Sequence, residues 1–268
     1  TECNICGSND YIVVHQGLKD DGSINLDTKK VYASSSNIVG NDRIVKCNIC
    51  ELKYVTPQLE AKDIVEAYSE GSDEKFVSQN KWRMVTFKRC LREVEKATCS
   101  KKGRILDIGT AGGAFLKVAK DAGWNVAGIE PNKWLVNFGK KNYQVNIENV
   151  KLNEVKKKYD VVSFFDVIEH VPNLKKLVLN INKVTKKNGY LIVTVPDHDS
   201  YARKILGGNW PFYLNVHVHY FTKDTLMKLF GAKYSLIYNK SYWPTLQLSY
   251  VLNRATKIFK VFKIFEIL

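Results

Sequence analysis

Four of the six cysteines form two C-x-x-C pairs, Cys3 with Cys6 and Cys47 with Cys50. Each pair can present two thiolates from one tight turn, an arrangement that suits a tetrahedral zinc ion. A disulfide framework fits less well, because the start of the chain shows no secretion signal. We therefore predict one structural zinc ion bound by four thiolates, with no open coordination position for a substrate.

A glycine-rich segment, GTAGG, follows the apolar run RILDI and precedes a helical pattern. It lacks the lysine and hydroxyl residue of a P-loop, and positions 111 and 114 are alanines where a dinucleotide-binding loop needs glycine. The segment instead matches D-x-G-x-x-x-G, formed by Asp107, Gly109 and Gly113. A carboxylate at this place opposes a pyrophosphate but suits a ligand with an ammonium group. S-adenosylmethionine, which has an amino group, a sulfonium and no phosphate, is such a ligand.

A repeated strand–helix pattern must position these residues. The strand-like runs RILDI, NVAGI, YDVVSFF and YLIVTV alternate with helical patterns, the last of which is LKKLVLNINKVTKKNG, ending at Gly189. This alternation predicts βαβ units and a parallel sheet, with ligands beyond the carboxyl ends of the strands. Glu130 follows the second strand, 21 residues after Gly109. An acid there can accept both ribose hydroxyls of NAD or of S-adenosylmethionine, so it does not decide between them.

The composition and pattern divide the chain into four predicted regions. Residues 1–60 alternate short β-like runs with polar turns and would form a small zinc-binding β module. Residues 61–102 show helical spacing and would connect the module to an α/β domain over residues 103–240. Residues 241–268 end in a basic amphipathic pattern. As a helix this segment could dock on the domain, form a dimer contact or lie on an anionic membrane.

Four ordered motifs give residues 100–240 a resemblance to the class I S-adenosylmethionine-dependent methyltransferases: ILDIGTAGGAFL, GIEPN, YDVVSFFDVIEHV and GYLIVTVPD. The resemblance implies an α/β fold in which a Rossmann-like sheet carries helices on both faces. The N-terminal cysteine pairs and the segment NWPFYLNVHVHYFT further resemble a narrower group, the bacterial methyltransferases of sugar and polysaccharide biosynthesis. This narrower resemblance implies an acceptor that is a sugar or a surface-polysaccharide precursor.

The family resemblance also assigns the cofactor contacts residue by residue. They are Asp107, Gly109, Thr110, Ala111, Gly113, Glu130, Pro131, Asn149, Val150, Phe165 and Asp166. The loop residues would surround the methionine half of the cofactor, and Glu130 would hold its ribose. Ala111 stands where the family usually has glycine, which narrows the loop but leaves its backbone amides available.

Histidines are the candidate bases for a hydroxyl acceptor, because the imidazole pKa lies near neutrality. His170 follows the strand-like run YDVVSFF, and His217 and His219 form an H-x-H segment whose alternation would place both on one face. We predict His217 or His170 as the base, with His219 as a further catalytic candidate. Their alternative role is to orient loops by hydrogen bonding. Asp166, Glu169 and His170 also resemble the metal-binding residues of ubiquinone-pathway O-methyltransferases, although VIEHV occurs in metal-free relatives too.

The net charge of +14 is unevenly distributed. Residues 1–60 carry six basic against eight acidic residues, and the surplus lysines lie in clusters typical of solvated turns and helix ends. This favours a small-molecule, nucleotide-sugar or glycan acceptor over nucleic acid, and a sugar hydroxyl is the first choice. A zinc-ribbon RNA methyltransferase and a non-catalytic scaffold are the alternatives. Since no long apolar run is present, we expect a cytoplasmic protein, with peripheral membrane contact through the C-terminal helix left open.

Overall fold

The computed structural model describes residues 1–17, 42–58, 68–69, 72–99, 101–241 and 245 of the 268-residue chain. Within these ranges nine strands form two sheets. In chain order the strands are β1 Tyr11–His15, β2 Ile44–Cys47, β3 Lys53–Val55, β4 Arg104–Ile108, β5 Asn125–Ile129, β6 Ile147–Glu148, β7 Tyr159–Phe165, β8 Thr185–Thr194 and β9 His219–Tyr220.

Seven α-helices lie in the same described ranges. They are α1 Glu74–Ser78, α2 Asn80–Ala97, α3 Ala114–Asp121, α4 Lys133–Tyr143, α5 Leu174–Val184, α6 Tyr201–Leu206 and α7 Lys223–Phe230. None of these helices is long and apolar enough to cross a membrane. The predicted C-terminal amphipathic helix falls almost wholly on residues 246–268, which lie outside the described residues.

The larger sheet is entirely parallel and has the spatial order β6-β5-β4-β7-β8. The strand order reverses between β4 and β7, and in sheets of this kind ligands bind beside that reversal, at the carboxyl ends of the strands. Neighbouring residues of β4 pack on opposite faces, as the two-residue period of a strand requires. Ile105 packs with α2 and α3, whereas Leu106 packs with α5. The predicted α/β fold, with a Rossmann-like sheet and helices on both faces, is therefore confirmed.

The smaller sheet is antiparallel and has the order β1-β2-β3-β9. Its last strand lies more than 160 residues beyond β3 in the sequence, with Lys53 opposite Tyr220 and Tyr54 opposite His219. Val45 and Leu52 of the cysteine-bearing region belong to the same hydrophobic cluster as Leu106 of the parallel sheet. The N-terminal region therefore packs directly on the α/β body. The predicted boundary at residue 60 lies outside the described residues.

The boundary between α5 and β8 differs from the predicted one. The helical pattern was expected to continue to Gly189, but α5 ends at Val184 and β8 begins at Thr185. Thr185 pairs with Tyr159 of β7, and Lys186 Nζ lies 2.7 Å from Asp160 Oδ1. Pairing with a distant strand therefore overrides the local helical pattern.

We predict that Phe115→Ala lowers the free energy of unfolding by about 3–5 kcal/mol, measured by urea denaturation. Phe115 is 1% exposed, and its ring lies 5.6 Å from that of Phe87 in α2 and 4.6 Å from that of Phe165 in β7. The matched control is Tyr201→Ala, whose ring is 85% exposed and whose loss should change the unfolding free energy by less than about 0.5 kcal/mol. Similar effects of the two substitutions would show that this ring cluster does not stabilise the helices on the sheet.

Candidate functional site

The glycine loop lies at the carboxyl end of the central strand β4. Gly109 and Gly113 have φ of +65° and +75°, in the left-handed region that favours glycine. Ala111 shares this conformation, with φ of +49°. Its backbone N–H donates to Glu130 Oε2 at 2.8 Å. A carboxylate at the end of the neighbouring strand therefore holds the loop where the family usually has its middle glycine.

Two buried carboxylates, those of Asp107 and Glu130, lie at the carboxyl ends of β4 and β5. Asp107 Oδ1 accepts a 2.7 Å hydrogen bond from Ser163 Oγ on the adjacent strand β7. Glu130 Oε1 accepts a 2.9 Å bond from the N–H of Asn132. Burial is the main cause that raises the pKa of each carboxyl to about 7. No lysine or arginine among the described residues pairs with either group. The site is therefore suited to a cationic group and to hydroxyl donors.

Three further residues predicted to contact the cofactor border the end of β5. Asn149 Nδ2 donates to the carbonyl oxygens of Glu130 at 2.9 Å and Pro131 at 2.7 Å. Val150 packs at the margin of the main hydrophobic cluster, and Thr110 is almost fully buried in the glycine loop. Asn149 thus connects the loop after β6 to the end of β5.

Phe165 and Asp166, at the end of β7, point in different directions. The Phe165 ring packs on Phe87 and Phe115, within the layer between the sheet and its helices. Asp166 has φ of +55° and is exposed at the carboxyl edge of the sheet. Its N–H donates to the carbonyl oxygen of Thr194 at 3.0 Å, and its Oδ1 accepts from the Thr194 hydroxyl at 3.0 Å. Asp166 therefore joins the ends of β7 and β8.

A cluster of one acid and two histidines follows β7. A ring nitrogen of His170, a ring nitrogen of His217 and a carboxylate oxygen of Glu169 all lie within 4.8 Å of one another. His170 Nδ1 lies 2.9 Å from the Val216 carbonyl oxygen, and His217 Nδ1 lies 2.8 Å from that of Phe212. A carbonyl only accepts, so both Nδ1 atoms carry protons. In the neutral rings Nε2 is then the basic nitrogen.

The carboxylate of Glu169 is buried in this cluster without a hydrogen-bond donor among the described residues. It is 1% exposed, and neither carboxylate oxygen has a hydrogen-bond partner. Burial, with a smaller contribution from the charge of Asp166, raises the pKa of Glu169 well above its ordinary value, and burial lowers the pKa of His170. An unpartnered buried carboxylate is costly, so this group needs a proton, a cation or a donor from a ligand.

The other two histidines after β8 lie apart from the cluster. His219 lies on β9, and both its ring nitrogens are buried without a partner, so burial lowers its pKa to about 3. Of the H-x-H pair, only His217 is in the cluster with Glu169. His198 lies between Lys53 Nζ, 3.1 Å from Nδ1, and the Tyr213 hydroxyl, 2.9 Å from Nε2.

The four cysteines of the two C-x-x-C pairs come together. Sγ of Cys3 lies 3.3 Å from that of Cys50, and Sγ of Cys6 lies 3.5 Å from that of Cys47. All four sulfurs lie within 4.8 Å of one another. A tetrahedral zinc–thiolate site with bonds of about 2.3 Å requires sulfurs about 3.8 Å apart, whereas a disulfide bond is only about 2.05 Å long. In each pair the residue after the second cysteine has a positive φ and donates its N–H to the carbonyl of the first.

Several supporting roles were not predicted from the sequence. Ser163 is the one polar residue in the apolar stretch VVSFF, and that isolated polar position was an available signal. Asn132 caps α4 by accepting from the N–H of Leu135 at 3.0 Å, as an asparagine before a helical pattern indicates. No local signal marks the carbonyls of Phe212 and Val216 that orient the two histidines.

The family model described as a methyltransferase domain, Methyltransf_23, matches residues 82–233. The match covers more than half of the chain, from α2 to just beyond α7, and includes the glycine loop, both buried carboxylates and the acid–histidine cluster. The cysteine pairs lie outside the matched range.

Comparison with curated proteins finds ubiquinone biosynthesis O-methyltransferases. That of Rickettsia typhi is 33% identical over 100 residues, covering 35% of this chain and 41% of the relative. That of Rickettsia canadensis is 36% identical over 103 residues, covering 35% and 42%. The chain thus spans about two fifths of the length of these curated relatives. A solved S-adenosylmethionine-dependent methyltransferase from Archaeoglobus fulgidus is 21% identical, with a TM-score of 0.48 and coverage of 70% of this chain and 92% of that one.

We predict that S-adenosylhomocysteine binds more weakly as the pH falls through 7. Protonation removes the negative charge of Asp107 that would face the ligand's ammonium group, and the pKa of this carboxyl is about 7 in the free protein. Affinity measured by calorimetry should fall by about three- to tenfold between about pH 8 and about pH 6.

The matched variant is Asp107→Asn, which cannot ionise. It should bind more weakly than the wild type at about pH 8 and show a smaller pH dependence, since only Glu130 of the two carboxyls still titrates near pH 7. A pH dependence in the wild-type protein no larger than that of the variant would contradict the assignment of Asp107 to the ammonium group.

Proposed function

We propose that this chain methylates a hydroxyl group on a small sugar-containing acceptor. The premise is that the chain belongs to the methyltransferase-domain family and is therefore an S-adenosylmethionine-dependent methyltransferase. Two likenesses support an oxygen acceptor of this kind. The curated relatives carry the name O-methyltransferase. The cysteine pairs and the H-x-H segment resemble methyltransferases of sugar and polysaccharide biosynthesis.

The buried carboxylates fit the cofactor. When bound, S-adenosylmethionine supplies a methyl carbon that its sulfonium makes electrophilic. Asp107 would face the ammonium group, alone or through water. Glu130 already accepts one backbone N–H at each oxygen and a side-chain hydrogen bond from Tyr68, and a remaining lone pair can accept a ribose hydroxyl. Gly109 and Gly113 would keep the loop close to the methionine half.

The observation that carries the hydroxyl assignment is the fixed tautomer of His170 and His217. Backbone carbonyls hold the proton of each ring at Nδ1, so each Nε2 can accept a proton. As the acceptor oxygen bonds to the methyl carbon and the carbon–sulfur bond breaks, one of these Nε2 atoms would take the hydroxyl proton. The neighbouring Glu169 carboxylate would stabilise the imidazolium that forms.

A second candidate function is favoured by the unpartnered oxygens of Glu169. Two imidazoles with Nδ1–H bonded to carbonyls and one buried carboxylate can also hold a divalent cation. A cation there would lower the pKa of a bound hydroxyl, and the acceptor could then be phenolic, as the name of the ubiquinone-pathway relatives suggests.

The cysteine cluster is proposed to hold a structural zinc ion. Four thiolates at nearly tetrahedral spacing leave no open position, so this metal would stabilise the N-terminal region and take no part in methyl transfer. Cys47 is the last residue of β2 and Cys50 lies in the turn before β3, so metal binding would fix that turn.

We predict that His217→Asn or His170→Asn lowers kcat by about 10²- to 10⁴-fold, the range expected for loss of a general base. The asparagine amide can still donate to the backbone carbonyl, but it lacks the Nε2 lone pair. Activity is read by mass spectrometry as the gain of one methyl group in a panel of nucleotide sugars and simple glycosides. Affinity for S-adenosylhomocysteine should change less than twofold. If both variants keep more than a tenth of wild-type activity, neither histidine is the base.

Chelation separates the two candidate functions. If a histidine is the base, EDTA should change the rate of methyl transfer by less than about twofold. The EDTA concentration is chosen so that the thiolate-bound zinc stays in place. The cation-dependent alternative would be established if EDTA abolishes the activity of the wild-type protein, Mg²⁺ restores it, and Mg²⁺ does not restore activity in Glu169→Gln. Zinc content, measured by elemental mass spectrometry, should be one ion per chain and should be lost in Cys47→Ser but not in Glu169→Gln.

A further inference from the structure

Two cations meet at His198, in the loop after β8. Lys53 Nζ, from β3, lies 3.1 Å from His198 Nδ1. Arg203 Nε, from α6, donates to the His198 carbonyl oxygen at 3.0 Å. Lys53 is half-buried, Arg203 is partly buried, and His198 is only 3% exposed. Lys53 and Arg203, which are 150 positions apart in the sequence, thus both bring a positive charge to His198.

Neither cation has a carboxylate partner within the described ranges, although nearby lysines do. Lys204 Nζ lies 2.9 Å from Asp199 Oδ1, and Lys46 Nζ lies 3.0 Å from Glu51 Oε1. Burial, together with the charge of Arg203, lowers the pKa of Lys53. Asp199 and Glu51 also act on Lys53 at longer range, and Asp199 acts on Arg203, but each acid forms its ion pair with another lysine. Lys53, Arg203 and the paired lysines outnumber the two acids, so positive charge is left in excess at the Lys53–Arg203 pair.

The hydrogen-bond directions leave donors free at this place. An ammonium group only donates, so His198 Nδ1 accepts from Lys53 and the neutral ring carries its proton on Nε2. His198 Nε2 then donates to the Tyr213 hydroxyl oxygen at 2.9 Å. The Arg203 side chain also hydrogen-bonds the Tyr213 hydroxyl. The Tyr213 proton, two protons of Lys53 and the remaining N–H groups of the Arg203 side chain are left to donate elsewhere. Donors of this number and charge, without an acceptor, are suited to an anion.

The cluster lies on the same edge of the molecule as the cofactor loop. His198 follows Thr194, the last residue of β8, by four residues, so the two Cα atoms are at most about 14 Å apart. The Thr194 hydroxyl itself contacts Asp166 at the carboxyl edge of the sheet.

We propose that Lys53, Arg203 and Tyr213 form a binding site for a phosphoryl group of the methyl acceptor, built jointly by the N-terminal region and the α/β body. A phosphoryl group carries up to two negative charges, which match the two cations, and its three oxygens match the three donor groups. The proposal rests on the proposed function in one respect, because it places the phosphoryl group on the acceptor. It restricts that acceptor to phosphorylated or diphosphate-activated molecules.

The test measures binding of pyrophosphate and of inorganic phosphate to the full chain by calorimetry at constant ionic strength. Pyrophosphate should bind to the wild-type protein, and Lys53→Gln and Arg203→Gln should each weaken it by tenfold or more. Lys53→Gln keeps an amide that can donate to His198, so it tests the charge without removing that contact. The matched control is Lys204→Gln, whose lysine is already paired with Asp199 and whose loss should change pyrophosphate affinity by less than twofold.

Three results would overturn the phosphoryl site: no pyrophosphate binding by the wild type, equal weakening by Lys204→Gln, or acetate binding as tight as that of pyrophosphate. Binding of S-adenosylhomocysteine to the same samples reports on the cofactor site separately. If S-adenosylhomocysteine does not bind but pyrophosphate does, the proposed function is contradicted. If S-adenosylhomocysteine binds but pyrophosphate does not, only the phosphoryl site is contradicted.

Discussion

Backbone hydrogen bonds through Val218 join the antiparallel sheet to the turn that carries the acid–histidine cluster. The Val218 carbonyl accepts from the N–H of Val55 at 3.0 Å, and the Val218 N–H donates to the carbonyl of Glu169 at 2.9 Å. One residue between two histidines thus connects the cysteine-bearing sheet to the turn after β7. The same pairing brings Lys53 to the loop after β8 and keeps His217 beside His170. Without it, the candidate base, the buried acid and the cationic cluster would have no fixed relation.

Apart from the buried Glu169, acidic and basic groups lie at different parts of the described site. On the cofactor side, two buried carboxylates lack cationic partners, and the pKa of each is raised to about 7 because burial disfavours their charged form. On the side proposed for the acceptor, burial lowers the pKa values of His170 and His198, and beside His198 lie Lys53 and Arg203, which form no ion pair among the described residues. A cationic methyl donor and an anionic acceptor would each meet the opposite charge. This arrangement would orient the two ligands before any chemistry takes place.

Much of the fold could be predicted because its determinants are local. Alternating strand and helix patterns, and glycines at left-handed positions, identified the parallel sheet and the loop after β4. The limit of α5 could not be predicted in this way. Its helical pattern continues to Gly189, but the pairing of Thr185 with Tyr159 ends the helix earlier. Strand pairing of this kind depends on residues far away in the sequence, and no local pattern reports it.

The residue types of the site were determined by the sequence alone. Asp107 two positions before Gly109, an acid after the next strand and a histidine after β7 follow from motif and spacing, and they identified the methyl donor. Only the tertiary structure decided which groups act together. It brought Glu169 and His217 within reach of each other, bound Ala111 to Glu130, and placed Lys53 beside Arg203. These contacts join residues 19 to 150 positions apart. They depend on strand order and burial, which a linear pattern of residue types does not encode.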